Sequence, residues 1–389
     1  MRIAIIGAGI GGLASATYLA RDGHDVALFE AFKEPRPVGA GLLLQPPGQD
    51  VLKELGAFQA ASKTAIPIHR LHSTTAHGRQ LLDLSYSDLS GPPRGGLGIQ
   101  RSTLHQALLA AAQSTNTELY FDATVTGLDR KADGCHIRLQ DAMRGPFDLI
   151  LVSSGSKSAW LQDSDYGRKA TVYPWGCMWA TVPLPDTLDG HTLHQRCLGA
   201  KHMVGLLPVM KQDGTPHAAL YWSMKNSDAG SWHQTPYDAF LNKLDSIWPE
   251  AASAAAQVDQ SAFVHATYRD VWCSRPYNDR VWLMGDAAHG TSPQLGQGCS
   301  MALLDAQAVS AALRQTLSLG DAVQAYNNER RAQLRYVRWA SRLLTPLFQH
   351  DSRLFGAPRD LLLGPISSMP GFYGLSLRTL ASDLFLMRQ

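Results

Sequence analysis

The apolar residues near the beginning of the chain fall into two short runs with a longer segment between them. Residues 3–6 and 25–29 are apolar runs of strand length, and residues 11–21 between them are rich in helix-forming residues. An Asp22-Gly23 pair separates this segment from the second run. The pattern predicts a strand, a helix and a second strand.

A different pattern begins near residue 169 and continues to about residue 264. The runs there are short, alternate apolar with polar residues, and are broken by Pro, Gly and Asp. We interpret this stretch as a mainly antiparallel sheet inserted into the chain. Helix and strand patterns flank it, with helices at residues 102–112 and 298–313 and strands at residues 118–121, 136–139, 148–152 and 280–284.

The composition is that of an ordinary globular protein. The 389 residues are 45% hydrophobic and 17% charged, which allows a large core. A net charge of +2 without a block of like charge gives no reason to expect nucleic-acid binding. No apolar run has the length of a membrane span, and the N-terminal run lacks a signal-peptide cleavage site. We therefore expect no membrane contact, and we expect the apolar C-terminal segment to pack against the rest of the protein.

The cysteines do not form a recognisable framework. They are five in number, an odd count, and have neither CxxC nor Cys/His ligand spacing: Cys135, Cys177, Cys197, Cys273 and Cys299. This usage argues against structural disulfides and against zinc, so we predict no metal and a cytoplasmic location.

A glycine-rich turn joins the first strand to the first helix. Gly7, Gly9 and Gly12 form G-x-G-x-x-G, and Glu30 ends the second strand. The glycines allow a tight turn, close approach of backbone to a pyrophosphate, and close packing of helix on strand, while the acid binds ribose hydroxyls. The helix N-terminus favours the phosphate charge. The sequence therefore predicts a dinucleotide site that includes Gly11 as well, without choosing between NAD and FAD.

A second motif follows the strand at residues 280–284. Gly285-Asp286 ends that strand, and Pro293 and two glycines then lead into a helix. This segment resembles the single-component flavoprotein monooxygenases, the FAD-dependent aromatic hydroxylase family that includes p-hydroxybenzoate and salicylate hydroxylases. The resemblance implies FAD, with the ribityl chain on Asp286 and the flavin ring against Pro293. It places the pyrimidine edge of the flavin at Gly296, Gly298, Cys299 and Ser300.

Further segments match the same family more loosely. Arg101 precedes a helix in IQRSTLHQAL, where the family arginine contacts FAD. The segment EPRPVGAGLLLQ is similar to the family's flavin-side loop, which suggests contacts from Arg36 and Gly41. Gly39 stands where some members carry an arginine. Val125 falls where a strand backbone meets adenine in relatives.

The chain departs from the family after the strand at residues 148–152. Members usually have an Asp-Gly pair there, whereas this chain has Ser154-Gly155. A serine hydroxyl forms hydrogen bonds but carries no fixed charge. The family aspartate is linked to the binding of pyridine nucleotide and flavin, so the departure puts efficient use of NAD(P)H in question.

The predicted fold class is α/β, a Rossmann-like FAD-binding domain with an inserted, mainly antiparallel substrate-binding sheet and a helical C-terminal tail. We predict the FAD-binding domain over residues 1–168, with a substrate-side segment near 68–98, and again over 271–345. The substrate-binding domain covers residues 169–270 and the tail covers 346–389.

The resemblance implies hydroxylation of an aromatic or similarly flat apolar small molecule with O₂ and NADH or NADPH, through oxygen added at carbon 4a of the flavin. Two alternatives stay open: a flavin oxidase, dehydrogenase or reductase of the same fold, and a flavin-binding protein without turnover. A halogenase is disfavoured because WGCMWATVP does not reproduce the W-x-W-x-I-P motif. The oligomeric state is left as monomer or homodimer.

Aromatic residues on the inserted sheet are the candidates for substrate contact, because a pocket lined by Trp and Tyr suits a flat ring. Tyr221 and Trp222 are adjacent in one strand, so only one of them can face the pocket. We expect His289 to be structural rather than a base. The full set of substrate candidates is Trp175, Trp179, His202, His217, Tyr221 and Trp222.

Overall fold

The computed structural model describes residues 1–34, 41–158, 160–161 and 163–381, with the backbone alone described at 163, 164, 353 and 354. Strands in this part of the chain are β1 (Arg2–Ile6), β2 (Asp25–Phe29), β3 (Gly41–Leu44), β4 (Ala65–Ile68), β5 (Arg70–Thr75), β6 (Gln80–Ser85), β7 (Gly96–Gln100), β8 (Glu118–Tyr120), β9 (Gly127–Lys131), β10 (Gly134–Arg138), β11 (Met143–Phe147), β12 (Leu149–Val152), β13 (Arg168–Pro183), β14 (Thr192–Leu198), β15 (His202–Met210), β16 (Pro216–Lys225), β17 (Val264–Cys273), β18 (Tyr277–Asn278) and β19 (Val281–Leu283).

The helices lie mainly before and after the long strands. They are α1 (Ile10–Arg21), α2 (Pro46–Glu54), α3 (Phe58–Ser62), α4 (Arg101–Gln113), α5 (Asp163–Tyr166), α6 (Tyr237–Asp245), α7 (Pro249–Ala255), α8 (Asp286–His289), α9 (Gly298–Gln315), α10 (Leu319–Phe348), α11 (Arg353–Ser367) and α12 (Pro370–Leu380). A short 3₁₀ turn, Pro293–Leu295, precedes α9.

A six-stranded sheet carries the first strand of the chain near its centre. Its order is β18-β19-β12-β1-β2-β8, and β1 pairs in parallel with both β12 and β2. Helices α1, α4 and α9 cover one face, whereas the small sheet β11-β10-β9 covers the other. Because both faces are covered, the central strands are apolar along almost their whole length, as parallel strands usually are.

The second large sheet has seven strands in the order β17-β13-β16-β15-β14-β5-β6. On one side, the outer face, Val204 and Trp222 pack with residues of α6 and α7 such as Phe240. On the other side, the inner face, Val209 and Ala219 pack with the three-stranded sheet β3-β7-β4. The sheet therefore separates two apolar layers, and successive residues of one strand point into different layers.

The last three helices cover the remaining part of the inner face. Phe348, at the end of α10, packs with Met203 and Cys197, whereas Leu377 and Leu380 of α12 join the cluster beside the three-stranded sheet. None of the helices in the described ranges has both the length and the apolar character needed to cross a membrane. This mixed architecture with a helical C-terminal segment confirms the predicted fold class. The helical layer begins at α10, well before residue 346, because one continuous helix spans the predicted boundary.

Candidate functional site

The glycine turn after β1 is the most tightly packed backbone of the site. Gly7 has φ of +104°, and Gly9 precedes the first helical residue of α1. A Cβ on Gly7 would lie 2.6 Å from the carbonyl oxygen of Ser153, and one on Gly12 would lie 1.9 Å from the carbonyl oxygen of Gly7. These distances leave room only for glycine, and they put the start of α1 directly beside the end of β1, with Gly11 packed in the same turn against Ala302.

The Glu30 carboxylate closes this turn. Its Oε2 accepts a hydrogen bond from the Ala8 N–H at 2.7 Å, and its Oε1 accepts one from the Phe32 N–H at 3.1 Å. The ring of His105, on α4, lies with Nε2 2.7 Å from the Ala8 carbonyl oxygen. His105 was not among the residues predicted from the sequence, although its spacing of one helical turn from Arg101 was an available signal.

A buried ion network supports the second motif. Gly285 has φ of +56°, and its N–H donates to the Asp305 carboxylate at 2.9 Å. The same carboxylate bonds His289 at 2.6 Å and the Arg330 guanidinium at 2.8 Å. Burial alone would raise the pKa of Asp305, but His289 and Arg330 together hold it well below the ordinary range. Asp305 therefore fixes the backbone turn that presents the exposed Asp286.

The start of α9 lies between groups of opposite charge. Gly296 adopts a left-handed conformation with φ of +61°, and α9 begins two residues later at Gly298. Burial raises the pKa of the Cys299 thiol to about 12, and the charges of Arg101 and Asp286 act on it in opposite directions. The structure thus brings Arg101, Asp286 and the start of α9 together, although they are far apart in sequence.

Three buried polar atoms near this helix start have no hydrogen-bond partner in the described part of the chain: Gln45 Nε2, Gln294 Nε2 and Ser300 Oγ. Gln45 is oriented by Tyr86, whose hydroxyl donates to the Gln45 Oε1 at 2.6 Å. A Cβ on Gly296 would lie 3.9 Å from the Gln45 Nε2. Unpaired buried donors are costly and point to a polar ligand, and they fit the edge of a flavin ring at an electropositive helix N-terminus.

The other residues proposed to contact the cofactor lie in different kinds of segment. Arg36 lies outside the described residues. Gly41 begins β3, and a Cβ there would lie 2.5 Å from Val209, so close packing of two sheets requires glycine at this position. Val125 is buried in an irregular segment before β9. Pro293 is exposed at the start of the 3₁₀ turn.

The Ser154 loop follows β12 and lies beside the glycine turn. The Ser154 hydroxyl hydrogen-bonds the Ser158 hydroxyl, and a Cβ on Gly7 would lie 2.9 Å from the Ser154 Cα. Buried Arg168 donates to the carbonyl oxygens of Ser156, at 2.9 Å, and Ala287, at 3.1 Å. This arginine, which was not predicted from the sequence, links the loop to the segment that follows Asp286.

The substrate candidates divide between the two faces of the seven-stranded sheet. Tyr221 and Trp179 share the inner face, with ring centroids 5.3 Å apart. Trp222 lies on the outer face against Phe240, and the His202 ring lies 5.1 Å from Trp222. Burial, with Lys243 and Lys201 nearby, lowers the pKa of His202 to about 4.

Trp222 and His202 therefore belong to the layer of α6 and α7, on the opposite side of the sheet from Tyr221. Trp175 is buried with the Lys225 ammonium 5.7 Å from its ring centroid. His217 lies near the start of β16 and bonds within its own turn, to the Thr215 carbonyl oxygen at 3.2 Å.

Comparison with known proteins matches residues 1–339 to the family model described as "FAD binding domain". The chain belongs to the FAD-binding domain family. It is 25% identical to the 2-heptyl-3-hydroxy-4(1H)-quinolone synthase of Pseudomonas aeruginosa, over 90% of this chain and 91% of that protein. It is 26% identical to the FAD-dependent urate hydroxylase of Klebsiella pneumoniae, over 85% of this chain and 86% of that protein.

Solved structures share the fold. The HpxO of Klebsiella pneumoniae complexed with FAD and uric acid has a TM-score of 0.81 at 22% identity and covers 98% of this chain and 97% of its own. The PqsL of P. aeruginosa in complex with 2-aminobenzoylacetate has a TM-score of 0.79 at 22% identity, covering 92% and 99%. The family match and the two relatives together confirm the predicted resemblance to the FAD-dependent aromatic hydroxylases, and the family match confirms FAD as the cofactor.

Replacing Glu30 by alanine in this FAD-binding domain should weaken FAD binding by about 1–3 kcal/mol, because the ribose would lose a charge-assisted acceptor. Titration of the apoprotein with FAD measures the change. Glu118→Ala is the matched control, since Glu118 begins the neighbouring strand β8 and bonds only the Tyr120 hydroxyl in the described structure. Equal FAD affinity in the Glu30 variant and the wild type would show that another group holds the ribose.

Proposed function

We propose that the protein is an FAD-dependent monooxygenase that hydroxylates an aromatic or similarly flat apolar small molecule. One observation carries this proposal. Within its described residues, this member of the FAD-binding family combines unpaired hydrogen-bond donors at the start of α9 with the aromatic pair Trp179 and Tyr221 on the inner face of the sheet. The named relatives support it, since they include a quinolone synthase and a urate hydroxylase.

The proposed reaction consumes the substrate, O₂, NAD(P)H and a proton, and yields the hydroxylated product, water and NAD(P)⁺. FAD, when bound, supplies electron transfer from the nicotinamide and activation of O₂. The protein's own residues bind the cofactor and the substrate and orient them. The glycine turn and Glu30 hold the adenosine half, Asp286 the ribityl chain, and the N–H groups at the start of α9 the pyrimidine edge.

The chain has three further proposed properties. We infer the division into two FAD-binding segments, residues 1–168 and 271–345, around a substrate-binding segment, residues 169–270. The strands β5 and β6, from the segment near 68–98, support the division because they belong to the seven-stranded sheet.

The cysteines in the described structure are free thiols, which supports a cytoplasmic location. The protein acts as a monomer or homodimer.

The test is the fate of the two oxygen atoms of O₂. Purified protein should be yellow and should release FAD rather than FMN on denaturation. With NAD(P)H and ¹⁸O₂, mass spectrometry should find one ¹⁸O atom in an aromatic product. Peroxide as the sole oxygen product with every aromatic tested would favour an oxidase, and absence of flavin reduction by any electron donor would favour a binding protein.

Ser154 supplies a prediction about reduction of the flavin. If the aspartate usual at this position helps to bind the pyridine nucleotide, Ser154→Asp should accelerate anaerobic flavin reduction by NAD(P)H and leave reoxidation unchanged. The gain should be small, because Ser154 is only partly buried and water still screens a charge there. Ser154→Asn is the control of matched size without charge. Reduction that is already fast in the wild type and is unaltered or slowed by Ser154→Asp would show that the missing aspartate does not limit flavin reduction.

A further inference from the structure

The inner face of the seven-stranded sheet has no charged side chain along its central part. Four neighbouring strands contribute to it through every second residue of 177–181, 219–223, 203–209 and 193–197. Each of these residues is apolar or carries a neutral polar group. The nearest charge along β16, on Lys225, is paired with Asp351. A ligand against this surface therefore meets no fixed counter-charge from these four strands.

Tyr221 and Trp179 form the aromatic part of this surface. They occupy interior strands of the sheet, β16 and β13, yet both side chains remain partly exposed. Their rings are inclined at 47°, which presents two aromatic surfaces. Partial exposure in the middle of a covered sheet indicates open space beside these rings, of the kind that accepts a flat molecule.

Gly205 lets the tyrosine ring lie along the sheet. A Cβ on Gly205 would lie 2.0 Å from the Tyr221 ring, so the ring crosses directly over this glycine. The ring thereby reaches across β15 to Gln195 on β14. The Gln195 side-chain amide donates a hydrogen bond to the Tyr221 hydroxyl oxygen. The orientation of the phenol thus depends on two residues outside its own strand.

This arrangement leaves Tyr221 as a hydrogen-bond donor. Its oxygen already accepts from Gln195, and no acceptor for its own hydrogen occurs among the described residues. Burial raises the pKa of Tyr221 well above its ordinary value, so the hydroxyl keeps its proton. An acceptor atom on a ligand would satisfy the remaining hydrogen.

We propose that the inner face selects an uncharged, flat substrate that carries a hydrogen-bond acceptor such as a ring carbonyl, and that Gln195 is the positioning residue that aims the Tyr221 hydroxyl at this acceptor. The inference rests on the proposed function for the site and narrows its substrate class. A carboxylate is disfavoured, because it would lose its hydration on this surface without gaining a cation from these four strands.

The experiment is a binding titration of the FAD-loaded enzyme, followed by the change in flavin absorbance, without reductant. The probes are 4(1H)-quinolone, which is neutral with a carbonyl, quinoline-4-carboxylate, which is anionic, and naphthalene, which has no acceptor. We expect the quinolone to bind at least roughly thirtyfold tighter than the carboxylate. Tyr221→Phe should reduce the preference for quinolone over naphthalene by about tenfold.

Gln195→Leu should reduce the same preference while keeping the tyrosine, which tests positioning separately from contact. Trp222→Phe is the matched control, since Trp222 is the next residue of β16 but lies on the outer face. Carboxylate affinity equal to that of the quinolone, or a preference unchanged in both the Tyr221 and Gln195 variants, would overturn the inference. The titration needs no turnover. If the probes bind in the expected order but no hydroxylated product ever forms, the proposed function is wrong and the inference about the substrate class still holds.

Discussion

Replacing Asp305 by alanine is expected to destabilise the protein by about 3–5 kcal/mol, the usual cost of removing one partner from a buried charge network. Asp305 is fully buried and holds the Gly285 N–H, His289 and Arg330 at once. The alanine variant leaves the Arg330 guanidinium buried without its carboxylate partner and releases the Gly285 turn. Urea unfolding of the FAD-free protein measures the loss, and FAD titration should show weaker binding as well.

The pH dependence of stability separates this effect from simple loss of packing. The pKa of Asp305 is lower in the folded protein than its ordinary value. The stabilisation is therefore fully present above about pH 4 and is lost as the pH falls toward the folded pKa. Wild-type stability should fall on acidification in this range, and the Asp305→Ala protein should lack that part of the decrease.

An exposed ion pair provides the control for the Asp305 variant. Arg70 and Asp83 are bonded at the surface of the seven-stranded sheet, with side chains 49% and 25% exposed. Asp83→Ala should cost no more than about 1 kcal/mol, since exposed pairs contribute little. A loss below that size for Asp305→Ala, with FAD affinity retained, would mean that the network does not support the turn.

The glycine turn and the segment from Gly285 to Ser300 could be located from the sequence because each is a local pattern. Strand, turn and helix follow one another within a few residues, and the glycines mark backbone positions that no other residue can occupy. The structure shows the steric reason at Gly7 and Gly12. Arg101 was also selected, but only the fold shows that it and Asp286 act on the same thiol.

The supporting residues were missed because they are joined by tertiary contacts. Asp305 is a single acid in an otherwise small and apolar stretch of α9, which was a usable signal of a buried partner. Its partner Arg330 lies on the next helix, and nothing in the spacing along the chain pairs the two. Gln195 likewise reaches Tyr221 across an intervening strand.

The choice between Tyr221 and Trp222 illustrates a limit of strand alternation. Period-two alternation correctly predicts that they point to opposite sides of the sheet. It does not identify the side with the pocket, because both faces are covered by apolar layers and so both residues look like core residues. The packing of α6 and α7 on the Trp222 side is the observation that favours Tyr221 as the proposed substrate contact.

Replacing Gly12 by alanine is expected to cost about 3 kcal/mol, at the upper end for an added methyl group in a packed interior. The new Cβ would lie 1.9 Å from the Gly7 carbonyl oxygen, far inside the 3.4 Å at which ordinary contact begins, so α1 and β1 would have to move apart. The obstacle is backbone and cannot rotate away.

The main effect of that separation should be a loss of FAD affinity. Moving the start of α1 away from β1 displaces the N–H groups proposed to hold the pyrophosphate, so FAD affinity should fall by roughly a hundredfold, as measured by titration of the apoprotein. Gly230→Ala is the control, because a Cβ there meets no atom within 4 Å and its φ is not in the left-handed region. If Gly12→Ala lowers stability but binds FAD as the wild type does, the turn is a packing device and the pyrophosphate is held elsewhere. Loss of both together is the outcome that a phosphate-binding turn requires, since the same close approach of helix to strand serves the fold and the cofactor.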